Sequence, residues 1–361
     1  MADQATCIGR ACLPAGMSSK SAPAIFTHTT PGELRAAAIG ADGRAFKLFC
    51  QRWSGNGERA RFGQIANARL RAFVDELQGA FLELSSGEEA FLRLKSRDGL
   101  TEGALLRVIV RSEARFEKLA RVARIEGATN DRPAFELWCD QTLGGDAQRV
   151  REDPKRVSMA FDEALAPSIT LPNGGRLHVE RTRALTAFDI DTAGRRNKGS
   201  AGARALAANR EAAIEMARQV SLRGLGGNLV LDCLDPLNAT SRQEIQAMTQ
   251  TVFKDLGVDG VKTVKPSSLG LLEASVPWRV MPIEEQISAN LAEATLLNLL
   301  RDVHREAIAA PMQFFELRLG GPTWQAYLSR RTDADMAIKE HFGGRLIVSE
   351  SPNPESRIAK R

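Results

Sequence analysis

The sequence predicts a multidomain α/β protein in which a small β-barrel precedes an alternating β/α domain and a short C-terminal α/β unit. Three observations predict it. Short strand-like runs succeed one another between residues 62 and 124, broken by Gly87 and Gly103. Apolar strands then alternate with amphipathic helices from 169 to 280. A Leu-rich helix opens a further helix-and-strand set over residues 281–361. With 361 residues the chain has length for two or three domains, each with its own core.

Taken in order, residues 1–28 are rich in Ala, Ser, Pro and Thr and lack an apolar run long enough for a signal sequence or a membrane span. They read as a loose, disordered tail, and no membrane partner is expected. Over 29–61, Leu34, Ala36 and Ala38 alternate with their neighbours, Asp42-Gly43 supplies a turn, and Ala45, Lys47 and Phe49 resume the alternation before a glycine-containing loop. These N-terminal strands are expected to join the later α/β domain. Strands at Ala66–Val74, Gly79–Leu84, Ala90–Lys95 and Leu105–Arg111 fit a barrel over 62–124, with an OB-type fold a candidate. Residues 125–168 are the least regular and read as a connecting region.

The turn Leu171-Pro-Asn-Gly-Gly175 opens the α/β domain, and alternation runs from Arg176 to Asp191. A helix is predicted over Ala203–Leu222, stopped by Gly224, followed by the apolar strand Asn228–Asp232. The next helix starts at Ser241, with Glu244 completing a capping box, and ends at Gly257. Strands at Val261–Val264 and Leu269–Ala274 complete the domain. The C-terminal unit comprises one long helix over Ile283–Ala309, a strand at Met312–Leu319, helices at Trp324–Arg330 and Asp333–Phe342, and a strand at Arg345–Ser349.

A net charge of +5 permits a polyanionic partner without demanding one. The five cysteines are odd in number and form no CxxC pair, which argues against a disulfide framework or a zinc cage and for a reducing, cytoplasmic location.

Two acidic clusters end apolar strands: Phe188-Asp189-Ile190-Asp191 and Leu231-Asp232-Cys233-Leu234-Asp235. An ionised carboxylate beside such neighbours loses hydration unless a cation or hydrogen-bond donors compensate. Two strands joined by one helix can bring Asp189 and Asp232 to a common ion. Two hard oxygen ligands suit Mg²⁺, which keeps waters, accepts phosphate oxygens and acidifies an attacking water. Aspartates at strand ends are also common as turn or cap residues, and the pattern alone does not separate the two readings.

The motifs separate them. The stretch from Leu171 to Asp191, Asn209-Arg-Glu-Ala-Ala213 with Ala217-Arg-Gln219, Arg223 to Asp235, and Val261-Lys-Thr-Val264 with Ser268 to Glu273 together resemble the catalytic segment of the ribonuclease E/G family. The interval 232 − 189 = 43 also agrees with the family's spacing. The resemblance implies a ribonuclease H-like/DNase I-like α/β catalytic region over 169–280 and an endoribonuclease that cuts single-stranded RNA to leave 5′-phosphate and 3′-hydroxyl ends, in RNA processing or decay. Asp189 and Asp232 would hold the catalytic Mg²⁺. Asp191 stands where the family usually has an Asn that orients the first aspartate.

Gly79-Ala-Phe-Leu-Glu-Leu84 and Glu89-Ala-Phe-Leu-Arg-Leu-Lys95 resemble two strands of the family's RNA-binding barrel, which implies that Phe81 and Phe91 stack on a base. The same resemblance implies that Lys118, with Arg115 and Arg121 nearby, lies where the family has a basic residue facing the RNA backbone. Arg195, Arg196 and Lys198, just past the aspartates, are candidates to neutralise phosphates near the metal, with a solvated charge run the plainer reading. The zinc-link cysteines that join subunits in the family are absent and the region that senses a 5′-monophosphate is shortened, so a homodimer would form without the zinc link and cutting would not depend strongly on the 5′ end. A protein that keeps the fold and binds RNA without cutting it is the alternative.

Overall fold

Short amphipathic strands dominate the first half of the chain. In the computed structural model the described residues are 23–53, 59–97, 99–116, 118–127, 132–144, 149–195 and 199–361. Strands β1 (Ala24–Thr30), β2 (Glu33–Ile39) and β3 (Ala45–Arg52) come first. Thus residues 24–28, expected in the loose tail, lie in a strand; the rest of that expectation, up to residue 22, falls outside the described residues. Five strands follow: β4 (Ile65–Val74), β5 (Gly79–Leu84), β6 (Glu89–Arg93), β7 (Leu105–Ser112) and β8 (Ala120–Arg124). They close into a barrel in the order β4-β5-β6-β8-β7, and the barrel expectation is met. Alternation closes it: Leu70, Leu82, Ala90, Leu92, Val108, Val110 and Ala120 point inward and are at most 2% exposed.

The connecting region is more regular than its composition predicts. It holds α1 (Ala134–Leu143), β9 (Val150–Glu152) and α2 (Pro154–Leu165). Tertiary partners explain these elements: β9 pairs in parallel with β1, giving a sheet ordered β3-β2-β1-β9, and in α2 Val157, Ala160, Phe161 and Ala164 are buried.

Next come β10 (Ser168–Thr170), β11 (Arg176–Arg181), β12 (Leu185–Asp191), α3 (Ala201–Arg223), β13 (Gly227–Asp232), α4 (Ala239–Asp255), β14 (Lys262–Val264) and β15 (Leu271–Val276). The strands form one mixed sheet ordered β10-β11-β12-β13-β15-β14, in which β12 and β13 are parallel. One face carries the core, where Phe188, Leu229, Leu231 and Leu272 meet Ala213, Met216, Ala217 and Val220 of α3. Ser200 caps α3 by accepting from the Ala203 N–H, and Gly224 ends it in the left-handed conformation. The cap of α4 is Asn238, which accepts from the Ser241 N–H at 2.8 Å, so the capping box expected at Ser241 is replaced by a cap three residues earlier.

The C-terminal region contains α5 (Ile283–Ser288), α6 (Leu291–Ala309), β16 (Phe315–Leu319), α7 (Gly321–Ser329), α8 (Arg331–Phe342), β17 (Leu346–Glu350) and β18 (Arg357–Lys360). The single long helix expected over Ile283–Ala309 is broken, because Asn290 caps α6 by accepting from the Glu293 N–H. Leu296, Leu300, Phe315, Leu317 and Phe342 form the local core with Trp53.

The chain divides into two compact units, one with residues 38–47 and 160–278, the other with 25–37, 48–159 and 279–361. The stretch 29–61, expected to join the α/β domain as a whole, is therefore shared, and only 38–47 go with it. No helix among the described residues is long and apolar enough to cross a membrane.

Candidate active site

The parallel register of β12 and β13 sets Phe188 beside Leu231, and one residue further along each strand stand Asp189 and Asp232. Continued by that one step, the register puts the two aspartates side by side on strands separated by about 4.8 Å. Both side chains belong to the face opposite the core: Phe188, Ile190, Leu229 and Leu231 are buried, while Asp189 and Asp232 are exposed. Among the described residues no side-chain hydrogen bond or ion pair engages either carboxylate. Two adjacent anions of this kind repel each other, and a shared cation relieves the repulsion.

The donor set fits Mg²⁺. It offers two hard carboxylate ligands in an open position that leaves room for waters, as that ion requires. Among the described residues no group of three or more His, Cys, Asp or Glu side chains is placed to hold a metal ion. Asp191 lies on the same face, two residues from Asp189, and its Oδ1 accepts from the Ala193 N–H at 2.8 Å. That contact ties Asp191 to the following turn.

Sequence reasoning missed His178. On antiparallel β11 it stands directly opposite Asp189, and Arg176 stands opposite Asp191. Cross-strand partners share a face, so both belong to the aspartate face. The signal was present in the alternation of Arg176, His178 and Glu180, but it identified a face only once the register with β12 was known.

Several residues hold this end of the sheet in place. Gly174 and Gly175 have positive φ, and a Cβ on Gly175 would meet the Asp191 carbonyl oxygen at 2.5 Å. The turn before β11 can therefore press against the backbone that follows Asp189 only as glycine. Arg195 closes the same corner: Nη2 donates to Glu211 Oε1 at 2.7 Å and Nη1 to the Gly174 carbonyl at 3.1 Å, with the side chain 5% exposed. This corrects the expectation that Arg195 faces RNA phosphates; its charge is taken up by Glu211. Arg196 and Lys198 lie outside the described residues. Behind Asp232, the Asn209 side chain accepts from the Leu234 N–H at 2.8 Å and donates to the Leu234 carbonyl at 2.9 Å. Burial pushes the neighbouring Cys233 thiol up to about 12, so it stays protonated at neutral pH and is no nucleophile.

A second surface lies on the barrel. Phe81 and Phe91 are a cross-strand pair with ring centroids 5.8 Å apart in an edge-to-face arrangement. Ala80, Leu82, Ala90 and Leu92 point into the barrel, so the two half-buried phenylalanines are on its outside. Gly79 makes room for them, since a Cβ there would lie 2.3 Å from the Phe91 ring. Arg121 on β8 pairs with Phe91 in register, which extends the row to a cation. Lys118 is exposed in the turn before β8, where it bridges back to Arg115.

Comparison with known proteins gives a consistent result. The sequence profile of the Ribonuclease E/G family matches residues 89–276, from β6 to the end of β15. Ribonuclease E of Synechocystis sp. is 39% identical over 80 residues, covering 22% of this chain and 12% of that protein. Ribonuclease E of Nostoc sp. is 34% identical over 120 residues, covering 33% and 17% respectively. Ribonuclease E of Escherichia coli is 27% identical over 215 residues, covering 56% of this chain and 20% of that protein. The chain thus spans a fifth or less of the length of these relatives.

Proposed function

The chain belongs to the ribonuclease E/G family, and from that premise we propose that it is a Mg²⁺-dependent endoribonuclease acting on single-stranded RNA. The observation that carries this reading is the pairing of Asp189 with Asp232 at the ends of adjacent parallel strands, exposed and, among the described residues, without a protein cation. On this reading the mixed sheet is a nuclease sheet of the ribonuclease H-like or DNase I-like kind. A Mg²⁺ ion held by Asp189 and Asp232 supplies charge that stabilises the phosphorane-like transition state and lowers the pKa of a nearby water.

The chain's own residues do the rest. Asp189 and Asp232 fix the site by standing on rigid strands, and the Gly174-Gly175 turn and Asn209 keep the strand ends in register. Asp191, tied to Ala193, adds negative charge to the same face and offers an acceptor to a water or a ribose hydroxyl. Phe81 and Phe91 offer π faces to an unpaired base, a contact open to single strands and closed to stacked duplex. Lys118 and Arg121 offer charge to the phosphates. Cleavage at the 3′-oxygen side leaves 5′-phosphate and 3′-hydroxyl ends, which suit a role in RNA processing or decay.

The test uses the pure chain and an end-labelled A/U-rich strand. Cutting with Mg²⁺, none with EDTA, and fragments that ligate without prior kinase treatment are expected. Unchanged cutting by an Asp189→Asn/Asp232→Asn double variant refutes the mechanism. Asp191, which adds a third carboxylate to the face where the family usually has Asn, favours a second reading in which RNA is bound and not cut. Binding with and without Mg²⁺, and no fragments in either, decides for that reading.

A further inference from the structure

Away from the paired carboxylates, within the unit of residues 25–37, 48–159 and 279–361, a cleft of about 120 Å³ has Arg52, Arg59, Arg61 and Arg330 in its walls, with Glu293 and Gln286. Four arginines and one glutamate line it, and Glu293 is already engaged, accepting from Trp53 Nε1 at 2.6 Å. Three of the arginines have acidic neighbours. Arg52 meets Glu33 at 3.1 Å, Arg61 meets Glu113 at 3.6 Å and Arg330 meets Asp333 at 3.7 Å.

Arg59 differs. Its guanidinium donates to the Ala114 carbonyl at 2.6 Å and to the Met281 sulfur, both neutral acceptors. Burial pulls its pKa below the ordinary arginine value, as expected of a cation withdrawn from water with no carboxylate in contact. Arg61 has an unused donor as well: its Nε is buried and has no hydrogen-bond partner. A guanidinium carries five N–H donors in a planar fork, of which Arg59 places two on neutral acceptors. Buried donors of this kind are matched in most proteins by a partner, a water or a ligand.

We propose that this cleft seats one phosphate-type oxyanion, held by Arg59 and Arg61. The cleft has room for a phosphate with waters around it. A tetrahedral oxyanion presents acceptors in several directions, which suits donors converging from different walls better than a planar carboxylate does. The phosphate can be free, the terminal group of a nucleotide, or a diester that a strand inserts.

The test is calorimetric titration of the full chain at low ionic strength in EDTA, so that it does not depend on the Asp189–Asp232 pair. Inorganic phosphate is expected to bind at one saturable site per chain. Arg59→Gln and Arg61→Gln are each expected to weaken it at least ten-fold, while Arg71→Gln, an exposed barrel arginine paired with Glu83, leaves it unchanged. Competition by adenosine 5′-monophosphate, and by an oligoribonucleotide with a 5′-hydroxyl, identifies the source: the first alone marks a terminal phosphate, both mark a diester, neither marks the free ion. Absence of saturable phosphate uptake by the wild-type chain overturns the proposal, and so does wild-type affinity in folded Arg59→Gln. Because the wild-type titration alone can overturn it, an unstable variant does not shelter it.

Discussion

Asn209 spends one side-chain amide on both the N–H and the C=O of Leu234, and it is 0% exposed. Truncation to Ala leaves two half-buried peptide groups unpaired at about 1–2 kcal/mol each. Asn209→Ala is expected to lower stability by roughly 2–4 kcal/mol in urea denaturation, and to reduce cation affinity because the strand end at Asp232 loosens; a variant as stable as wild type removes this role. On the barrel, Phe81→Ala and Phe91→Ala should each weaken single-stranded RNA binding by about 1–3 kcal/mol, measured by fluorescence anisotropy. Binding that stays within two-fold makes the ring pair merely structural. The residue types at both surfaces were legible in the sequence, because motif and spacing pick out Asp189, Asp232, Phe81 and Phe91. His178 gained its place only through strand register, and Arg195 was misjudged because a sequence shows its charge but not Glu211 waiting beside it.

At the scale of elements, α3 does two jobs. Its apolar stripe covers the sheet, and its polar side carries a buried network: Arg218 donates to the Ala45 carbonyl at 2.5 Å and pairs with Glu215 and Glu163, while Arg44 meets Glu215 at 2.8 Å. Removing one partner of such a pair strands the other charge, at about 3–5 kcal/mol. Arg218→Ala should therefore unfold the chain at markedly lower urea, whereas Arg71→Ala on the exposed Arg71–Glu83 pair should change the midpoint little. Equal effects of the two would contradict the network. Elements with strong periodicity, such as α3 and the barrel strands, were legible within a few residues. Helices α1 and α2 and strand β9 were not, because their order comes from partners distant in sequence: β9 pairs with β1, and Trp138 of α1 packs on Phe49 with ring centroids 5.5 Å apart.

For the whole molecule, acid sensitivity follows from the half-buried His28 and the buried Glu33. Burial and the charges of Arg301, His304 and Arg35 lower His28 from 6.5 to about 4. Burial alone would raise Glu33, but Arg35, Arg301 and Arg52 outweigh it and hold the carboxyl at about 2, against 4.5 ordinarily. In both cases the unfolded chain takes up its proton first as pH falls. The His28 contribution is complete above pH 6.5 and is lost between 6.5 and 4, and that of Glu33 is lost between 4.5 and 2. The urea midpoint should fall from pH 7 to 5, and His28→Gln should flatten that part of the curve; an unaltered slope in the variant assigns the loss elsewhere.

Stoichiometric Mn²⁺ binding, followed by electron paramagnetic resonance, tests the central claim most directly, since Mn²⁺ accepts the same oxygen ligands as Mg²⁺. One ion per chain is predicted in the wild type, with affinity lowered at least ten-fold by Asp189→Asn and equally by Asp232→Asn. Wild-type affinity in either folded variant would contradict a cation shared by the two aspartates.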